Sequence, residues 1–296
     1  MTEEAEGLAL SKVSASLARL VEGVSKSVVE IRSGKRAFAS GFVWRPELVV
    51  TADEALGDSE SATVALDGHS FEAAVVGRDP STDVALLRVS RLAAPVLPLA
   101  AGLAPRTGEI VLAAARRDGG ISARLGIVSM TGGPWLSIRG GQLDSLIRLD
   151  IRLGRRNEGG PVIDSEGRVF GMTVRGVRRS VLAIPAATIE RVAARILEKG
   201  SVKPGYLGLG LHPVRLHGAT GTGLIVLGVA PGSPGEAAGI LQGDVITAWN
   251  GEPVVGMRVL MRRLGPDAAG QTVELGLLRG GQPSTVTCVI GTRPGM

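Results

Sequence analysis

Residues 41–52, GFVWRPELVVTA, contain two short runs of apolar and β-branched residues, divided by Arg45, Pro46 and Glu47. Short runs separated by turn residues are typical of the strands of a β-sandwich or barrel. The same pattern recurs from Ser27 to about Thr173, in the segments SVVEIRS (27–33), ATVALDGHSFEAAVVG (62–77), DVALLRVS (83–90) and EIVLAAARR (109–117). The 43 glycines follow no collagen-like period, which indicates many tight turns. The sequence therefore predicts a mainly β fold.

Three segments depart from this pattern and predict helices, because their apolar residues recur at helical spacing. In residues 10–25 the apolar face consists of Val13, Leu17, Leu20, Val21 and Val24. In residues 188–199 it consists of Ile189, Val192, Ala193 and Ile196, and Gly200 is the expected stop. In residues 257–264 it consists of Met257, Leu260, Met261 and Leu264.

The C-terminal part of the chain reads as a separate small module. Ser233 to Glu236 form a capping box with proline at the first helical position, and Gly239 ends that short helix. Asn250-Gly251 is a two-residue hairpin turn between two strand-like segments. We predict an N-terminal helical segment over 1–26, a first domain over 27–200, a linker over 201–205 and a second domain over 206–296.

Composition and charge exclude several classes of protein. The net charge of +5 comes from basic residues that are scattered except between Arg148 and Arg179, and aromatic residues make up only 3%, which argues against a nucleic-acid partner. No apolar run approaches the length of a membrane span. The single Cys288 is expected to be a buried structural thiol. The acidic N-terminus MTEEAEGLAL is unlike a secretory signal, so the chain as written is expected to be soluble and cytoplasmic, or extracytoplasmic if a signal has been removed.

Two segments of the C-terminal module carry a resemblance to a known family. YLGLG (206–210) and VAPGSPGEAAGILQGDVITAWNGEPV (229–254) closely resemble the PDZ domain of HtrA-family (HtrA/DegP-like) serine proteases. The resemblance implies that the loop holds the terminal carboxylate of a peptide, while the following strand pairs with the peptide. The residues implied in peptide binding are Tyr206, Leu207, Gly208, Leu209, Met257, Leu260, Met261 and Leu264. The apolar helix residues could instead only fill the core of the module.

The first domain resembles the protease domain of the same family along nearly its whole length. ARLVEGVSKSVVEI (18–31) resembles the lead-in, and SGFVWRPELVVTADEAL (40–56) resembles the block that carries the catalytic histidine. GRDPSTDVALLRV (77–89) resembles the aspartate block, and RNEGGPVIDSEGRVFGMTV (156–174) resembles the nucleophile block. GIVSM (126–130) and LAIPA (182–186) match further strands of the family. The resemblance implies a chymotrypsin-like double β-barrel followed by a PDZ domain.

Two of the three catalytic positions depart from the family pattern. Glu54 stands at the histidine position and Glu158 at the serine position, while Asp83 is retained. At the oxyanion loop Arg156 replaces a glycine, and Asn157 and Gly159 match the family. Acyl transfer by this triad needs a hydroxyl nucleophile and an imidazole base. We therefore predict a catalytically inactive scaffold that needs no cofactor and whose PDZ domain binds peptides or proteins with apolar C-termini.

Two alternatives remain for the former catalytic site. Three carboxylates in close proximity must be protonated, paired with arginine, or bound to a divalent cation such as Ca²⁺ or Mg²⁺. Arginine pairing is favoured, and the candidates nearest in sequence are Arg152, Arg155 and Arg156. The second alternative is altered hydrolase chemistry that uses paired carboxylates. The resemblance also implies a homo-oligomer, commonly a trimer assembled through N-terminal segments.

Overall fold

The computed structural model describes residues 2–34, 37–57, 59–154, 157–177, 180–200, 205–216, 221–265 and 268–292. The chain divides into two compact units. The first consists of Met1–Trp135 and Leu143–Val202, and the second of Leu136–Gln142 and Lys203–Met296. Most of the linker predicted over 201–205 lies outside the described residues. In the described ranges no helix is long and apolar enough to cross a membrane.

The first unit contains the two closed six-stranded barrels that the resemblance implied, and all strand pairs in them are antiparallel. The first barrel has the order β1-β2-β3-β6-β5-β4. Its strands are β1 (Val28–Ser33), β2 (Ala37–Arg45), β3 (Leu48–Thr51), β4 (Ser61–Leu66), β5 (His69–Asp79) and β6 (Val84–Arg88). A single 3₁₀ turn, Glu54–Leu56, follows β3.

The second barrel has the order β11-β14-β13-β12-β7-β8. Its strands are β7 (Ile110–Arg117), β8 (Gly120–Gly132), β11 (Leu146–Asp150), β12 (Pro161–Ile163), β13 (Val169–Arg175) and β14 (Val181–Pro185). The short strands β9 (Trp135–Leu136) and β10 (Gln142–Leu143) pair with each other.

Apolar packing joins the two barrels as well as filling each of them. One cluster of buried side chains combines Phe42 and Leu86 of the first barrel with Leu112 and Met172 of the second. Each barrel has a further core of its own, one around Val43 and Leu87, the other around Val128 and Phe170. Because aromatic residues are scarce, these cores are filled mainly by valine, leucine, isoleucine and alanine.

Two helices pack on the barrels where the sequence predicts helices, although α1 begins eight residues before the predicted start at residue 10. Helix α1 spans Thr2–Ser25, and Leu17, Leu20, Val21 and Val24 pack against the core, whereas Val13 is 55% exposed. Helix α2 spans Ala186–Lys199 and buries the four apolar residues predicted for it, Ile189, Val192, Ala193 and Ile196. It begins two residues earlier than predicted, because Pro185 in an extended conformation serves as its N-cap, and it ends at Gly200.

The second unit is a small sheet with two short helices. The sheet has the order β16-β17-β18-β20-β21, and β19 also pairs with β18. A separate pair is formed by β15 and β22. The strands are β15 (Gly205–Tyr206), β16 (Leu209–Arg215), β17 (Thr222–Val229), β18 (Val245–Trp249), β19 (Glu252–Pro253), β20 (Thr272–Arg279), β21 (Gln282–Val289) and β22 (Gly291–Thr292). The helices are α3 (Pro234–Ala237) and α4 (Met257–Arg263).

The local signals read from the sequence are confirmed in this unit. The Ser233 hydroxyl accepts a hydrogen bond from the Glu236 N–H at 3.2 Å, and the Glu236 carboxylate accepts one from the Gly232 N–H at 2.6 Å. Asn250 and Gly251 have φ values of 49° and 80°, the left-handed conformation that a type I′ hairpin turn requires. Cys288 is buried, and burial raises the pKa of its thiol.

Candidate functional site

Glu54 and Asp83 are held side by side at the ends of two neighbouring strands. Strand β3 pairs with β6, and Thr51 lies opposite Ala85, so the residues after β3 meet the residue before β6. The Glu54 backbone N–H donates to Asp83 Oδ1 at 2.8 Å. Asp83 has a φ of 60°, a conformation uncommon for an L-residue, while Glu54 itself is exposed. The Asp83 carboxylate is thus directed to the backbone of Glu54.

The loop around Glu158 is fixed against the same strands by its backbone. The Ser40 N–H donates to the Glu158 carbonyl at 2.8 Å, and the Gly159 N–H donates to the Thr173 carbonyl at 2.8 Å. Gly159 has a φ of 84°, and a Cβ added there would lie 2.2 Å from the Ser40 carbonyl oxygen and 2.6 Å from Thr51 Oγ1. This close packing needs glycine at position 159. It also brings residues 158–159 to the end of β3, just before Glu54.

The side chain of Glu158 points inward and is paired with an arginine. Its carboxylate is only 7% exposed and forms an ion pair with Nε of Arg175, the last residue of β13, whose side chain is 37% exposed. We expected an arginine partner for this carboxylate, but Arg175 is not one of the candidates near Glu158 in sequence. Arg152 is exposed, and Arg155 and Arg156 lie outside the described residues. The partner comes from the adjacent hairpin strand, because β12 pairs with β13.

A second arginine compensates the carboxylate next to Glu54. Asp53 is buried, and Arg78 approaches its Oδ1 at 3.3 Å while it also donates to the carbonyls of Gly57 and Ser59. Among the described residues no group of three or more His, Cys, Asp or Glu side chains is placed to hold a metal ion. Glu54, Asp83 and Glu158 therefore do not form the cation-binding cluster that one alternative required.

Of the predicted oxyanion-loop residues, two fall within the described structure. Asn157 is buried, and its N–H donates to the Gly154 carbonyl at 3.0 Å, while its own carbonyl accepts from Thr173 Oγ1 at 3.2 Å. Gly159 is held as described above. Arg156 lies outside the described residues.

In the second unit, the loop from Tyr206 to Leu209 is anchored by its carbonyl groups. The Leu207 carbonyl accepts from the Gly235 N–H and the Gly208 carbonyl from the Ala230 N–H, both at 2.8 Å. Gly208 has a φ of 75°, and a Cβ there would lie 2.1 Å from Cβ of Ser233. Within the described residues the N–H groups of Leu207 and Gly208 take part in no backbone hydrogen bond outside the regular elements.

Helix α4 packs beside β16, the two elements between which the resemblance implies a peptide groove. Met257 and Met261 are partly buried against the apolar core and keep some exposed surface. Leu260 is fully buried and Leu264 is 7% exposed, and both belong to that core. Leu260 and Leu264 thus fill the core of the unit, which is the alternative that the sequence left open for this helix face, and a peptide-binding role for them stays a prediction.

The sequence did not identify several residues that shape these two sites. Arg175 is the last residue of β13 and belongs to no recognisable motif. Ser40 contributes its backbone N–H and carbonyl, and Thr51 its hydroxyl, groups that carry no sequence signal of their own. Only the pairing of β12 with β13 places Arg175 near Glu158. A positive residue directly after the GMTV strand was the one available signal.

Comparison with known proteins agrees with this architecture. The family model of the trypsin-like peptidase domain matches residues 39–172, and that of the PDZ domain matches residues 205–290. The chain is 34% identical over 281 residues to the probable periplasmic serine endoprotease DegP-like of Rhizobium meliloti (strain 1021), covering 90% of this chain and 55% of the relative. It is 30% identical over 261 residues to the periplasmic pH-dependent serine endoprotease DegQ of Escherichia coli (strain K12), covering 82% and 56%. The chain thus spans about half the length of the curated relatives it matches.

Solved structures match nearly the whole chain. The serine endoprotease from Yersinia pestis is 26% identical with a TM-score of 0.69, covering 94% of this chain and 98% of that one. The HtrA-type protease AlgW with tripeptide is 26% identical with a TM-score of 0.65, covering 94% and 97%. The periplasmic names of the curated relatives give no support to the cytoplasmic location expected from the N-terminus.

Proposed function

We propose that this chain, a member of the HtrA/DegP family with a trypsin-like peptidase domain and a PDZ domain, is a catalytically inactive relative that binds peptide C-termini. The observation that carries the proposal is the ion pair between the buried carboxylate of Glu158, at the position that the resemblance assigns to the nucleophile, and the exposed Arg175. The curated relatives are named as endoproteases. By the resemblance, Glu54 and Glu158 stand in this chain at the histidine and serine positions.

The chemistry of the substituted residues supports inactivity. An ionised carboxylate has no proton to lose and is a poor nucleophile toward an amide, and Oε1 of Glu158 is paired with the Arg175 guanidinium. Glu54 is exposed and Asp83 accepts the Glu54 backbone N–H, so the Asp83 carboxylate has no imidazole to orient. A carboxylate at position 54 also lacks the second nitrogen through which an imidazole is positioned by aspartate while it transfers a proton.

Activity is tested with the purified chain against casein and with a fluorophosphonate probe that labels activated serine nucleophiles. We expect no turnover above buffer and no labelling, while the Escherichia coli DegQ relative serves as the positive control. Hydrolysis of casein by the wild-type chain that disappears in both Asp83→Asn and Glu158→Gln would overturn the proposal. Labelling of a serine in the cleft would do so as well.

Peptide binding is proposed for the PDZ domain because its loop presents buried backbone donors next to an open strand edge. A terminal carboxylate fits donors aimed at one point, and an added strand fits an unpaired edge. The partly exposed Met257 and Met261 supply an adaptable apolar surface for an aliphatic terminal side chain.

Binding is tested by titrating peptides with a free or an amidated C-terminal leucine. We expect the free acid to bind and the amide to bind at least about tenfold more weakly, since a charge-assisted hydrogen bond is lost. Met261→Asp should weaken binding. The control is Val289→Asp, an exposed residue on β21, at the opposite end of the sheet from β16. Equal affinities for the free acid and the amide would count against use of the loop.

We further propose that the protein is a homo-oligomer, a trimer by analogy with the family, outside the cytoplasm. The outer face of β7 and β8 supports association, because its large apolar side chains are 36–56% exposed: Ile110, Ile121, Leu125, Ile127 and Met130. Adjacent exposed apolar side chains on one sheet face commonly mark an interface. Light scattering should give a mass of three chains, and Leu125→Asp should lower it. A wild-type monomer at high concentration would refute this part.

A further inference from the structure

The open edge of the PDZ sheet is formed by β16, which lies at the end of the strand order. Among the described strands only β17 pairs with it. Along an antiparallel strand, the N–H and C=O of one residue point to the same side, and the next residue points to the other side. Half of the backbone groups of β16 therefore face β17, and the other half face the edge where a peptide would add.

Hydrogen bonds at both ends of β16 establish which residues face which side. The Gly208 carbonyl, just before the strand, accepts from Ala230 at 2.8 Å, and the Leu216 N–H, just after it, donates to Gly221 at 3.1 Å. The register between β16 and β17 shifts once. Gly210 opposes Gly228 and the next residue, Leu211, opposes Val226, so Leu227 is an extra residue of β17 that has no opposite residue on β16. The alternation along β16 is thus unbroken. Even-numbered residues face β17, and Leu209, Leu211, Pro213 and Arg215 face the open edge.

Proline at position 213 removes a donor from that edge. Leu209 and Leu211 each present an N–H and a C=O to an incoming strand, whereas Pro213 has no N–H, and its ring carbon Cδ occupies the space of the missing hydrogen. The proline leaves the pairing with β17 intact, since its nitrogen faces away from β17. It affects only a strand that adds from outside.

We propose that Pro213 ends the ladder of backbone hydrogen bonds between β16 and a bound peptide, and so restricts recognition to the last four residues of a C-terminus. This inference rests on the proposed peptide binding. An antiparallel peptide advances two residues for each edge-facing position of β16. If its terminal residue lies against Leu209, the third residue from the end lies against Leu211 and the fifth against Pro213. The ligand class is therefore any protein with a short accessible apolar C-terminal tail, and an extended strand upstream of it is not required.

The test measures Kd for peptides with a free amino terminus and a free C-terminal leucine, lengthened from three to seven residues with alanine, which adds backbone with little side chain. With the wild-type chain we expect affinity to rise up to four residues and then to stay within about twofold. With Pro213→Ala we expect the step from four to five residues to gain about two- to tenfold, the contribution of one hydrogen bond. The matched control is His212→Ala, because the N–H of residue 212 faces β17. For this variant Kd should depend on peptide length as it does for the wild type.

The outcomes separate this inference from the proposed function beneath it. A wild-type chain whose affinity climbs by that factor between four and five residues would overturn the role of Pro213 while leaving peptide binding intact. A Pro213→Ala chain that folds, as judged by circular dichroism, and keeps the wild-type plateau would overturn it as well. If no peptide of any length binds, the proposed peptide recognition itself fails, and the inference fails with it.

Discussion

Replacing Arg175 by alanine isolates its ion pair with Glu158. The Glu158 side chain is 7% exposed, whereas the Arg175 side chain is 37% exposed. Breaking a fully buried ion pair costs about 3–5 kcal/mol, and pairs in contact with solvent contribute less. For this half-buried pair we expect Arg175→Ala to lower the free energy of unfolding by about 2 kcal/mol. In a unit of this size that corresponds to a fall in Tm of about 4–8 °C.

Urea unfolding followed by tryptophan fluorescence measures this change, and a second substitution identifies its cause. Glu158→Gln in the Arg175→Ala background removes the unpaired charge and should restore most of the lost stability, so the two changes are non-additive. Arg148→Ala, an exposed arginine on β11, is the control and should change stability by less than about 0.5 kcal/mol. The reasoning is refuted if Arg175→Ala is as mild as the control, or if Glu158→Gln fails to rescue it.

Three further changes test other parts of the structure. Arg116→Met removes a buried guanidinium that donates to the carbonyls of Val28 at 2.7 Å and Ser25 at 2.6 Å, so it should destabilise the first unit by about 2–4 kcal/mol, whereas exposed Arg117→Met should not. Gly159→Ala places a Cβ 2.2 Å from the Ser40 carbonyl oxygen at positive φ, and it should cost at least about 2 kcal/mol in calorimetry. Hydrogen bonds from Arg279 hold the pKa of Asp244 below its usual value, against the opposing effect of burial. The ion pair's contribution to the free energy of unfolding is present above about pH 4 and is lost as the pH falls through the lowered pKa of Asp244 in the folded state. The free energy of unfolding of Asp244→Asn should therefore fall less steeply at acid pH than that of the wild type. An unchanged acid limb would show that Asp244 and Arg279 are not coupled.

Features that depend on a few consecutive residues could be predicted from the sequence, because short-range geometry decides them. The Asn250-Gly251 turn requires left-handed φ values that these residue types favour, and the Ser233 cap bonds a group three residues away. The buried face of α2 follows from helical periodicity alone. The positions of Glu54, Asp83 and Glu158 in their blocks came from the resemblance, and the structure brings the backbone around these positions together.

Only the tertiary structure decided which groups meet across strands and which side of a strand a residue faces. Arg175 pairs with Glu158 because β12 and β13 are neighbouring strands. From the sequence we had expected a partner among Arg152, Arg155 and Arg156, which lie closer along the chain. Leu260 and Met261 are adjacent in one helix, yet one is fully buried in the core and the other is partly exposed, a difference that depends on how α4 rests on the sheet. Pro213 is visible in the sequence, but its effect depends on the parity of β16 relative to β17. Parity is a property of strand pairing, because a shift of one residue turns every backbone group to the opposite side.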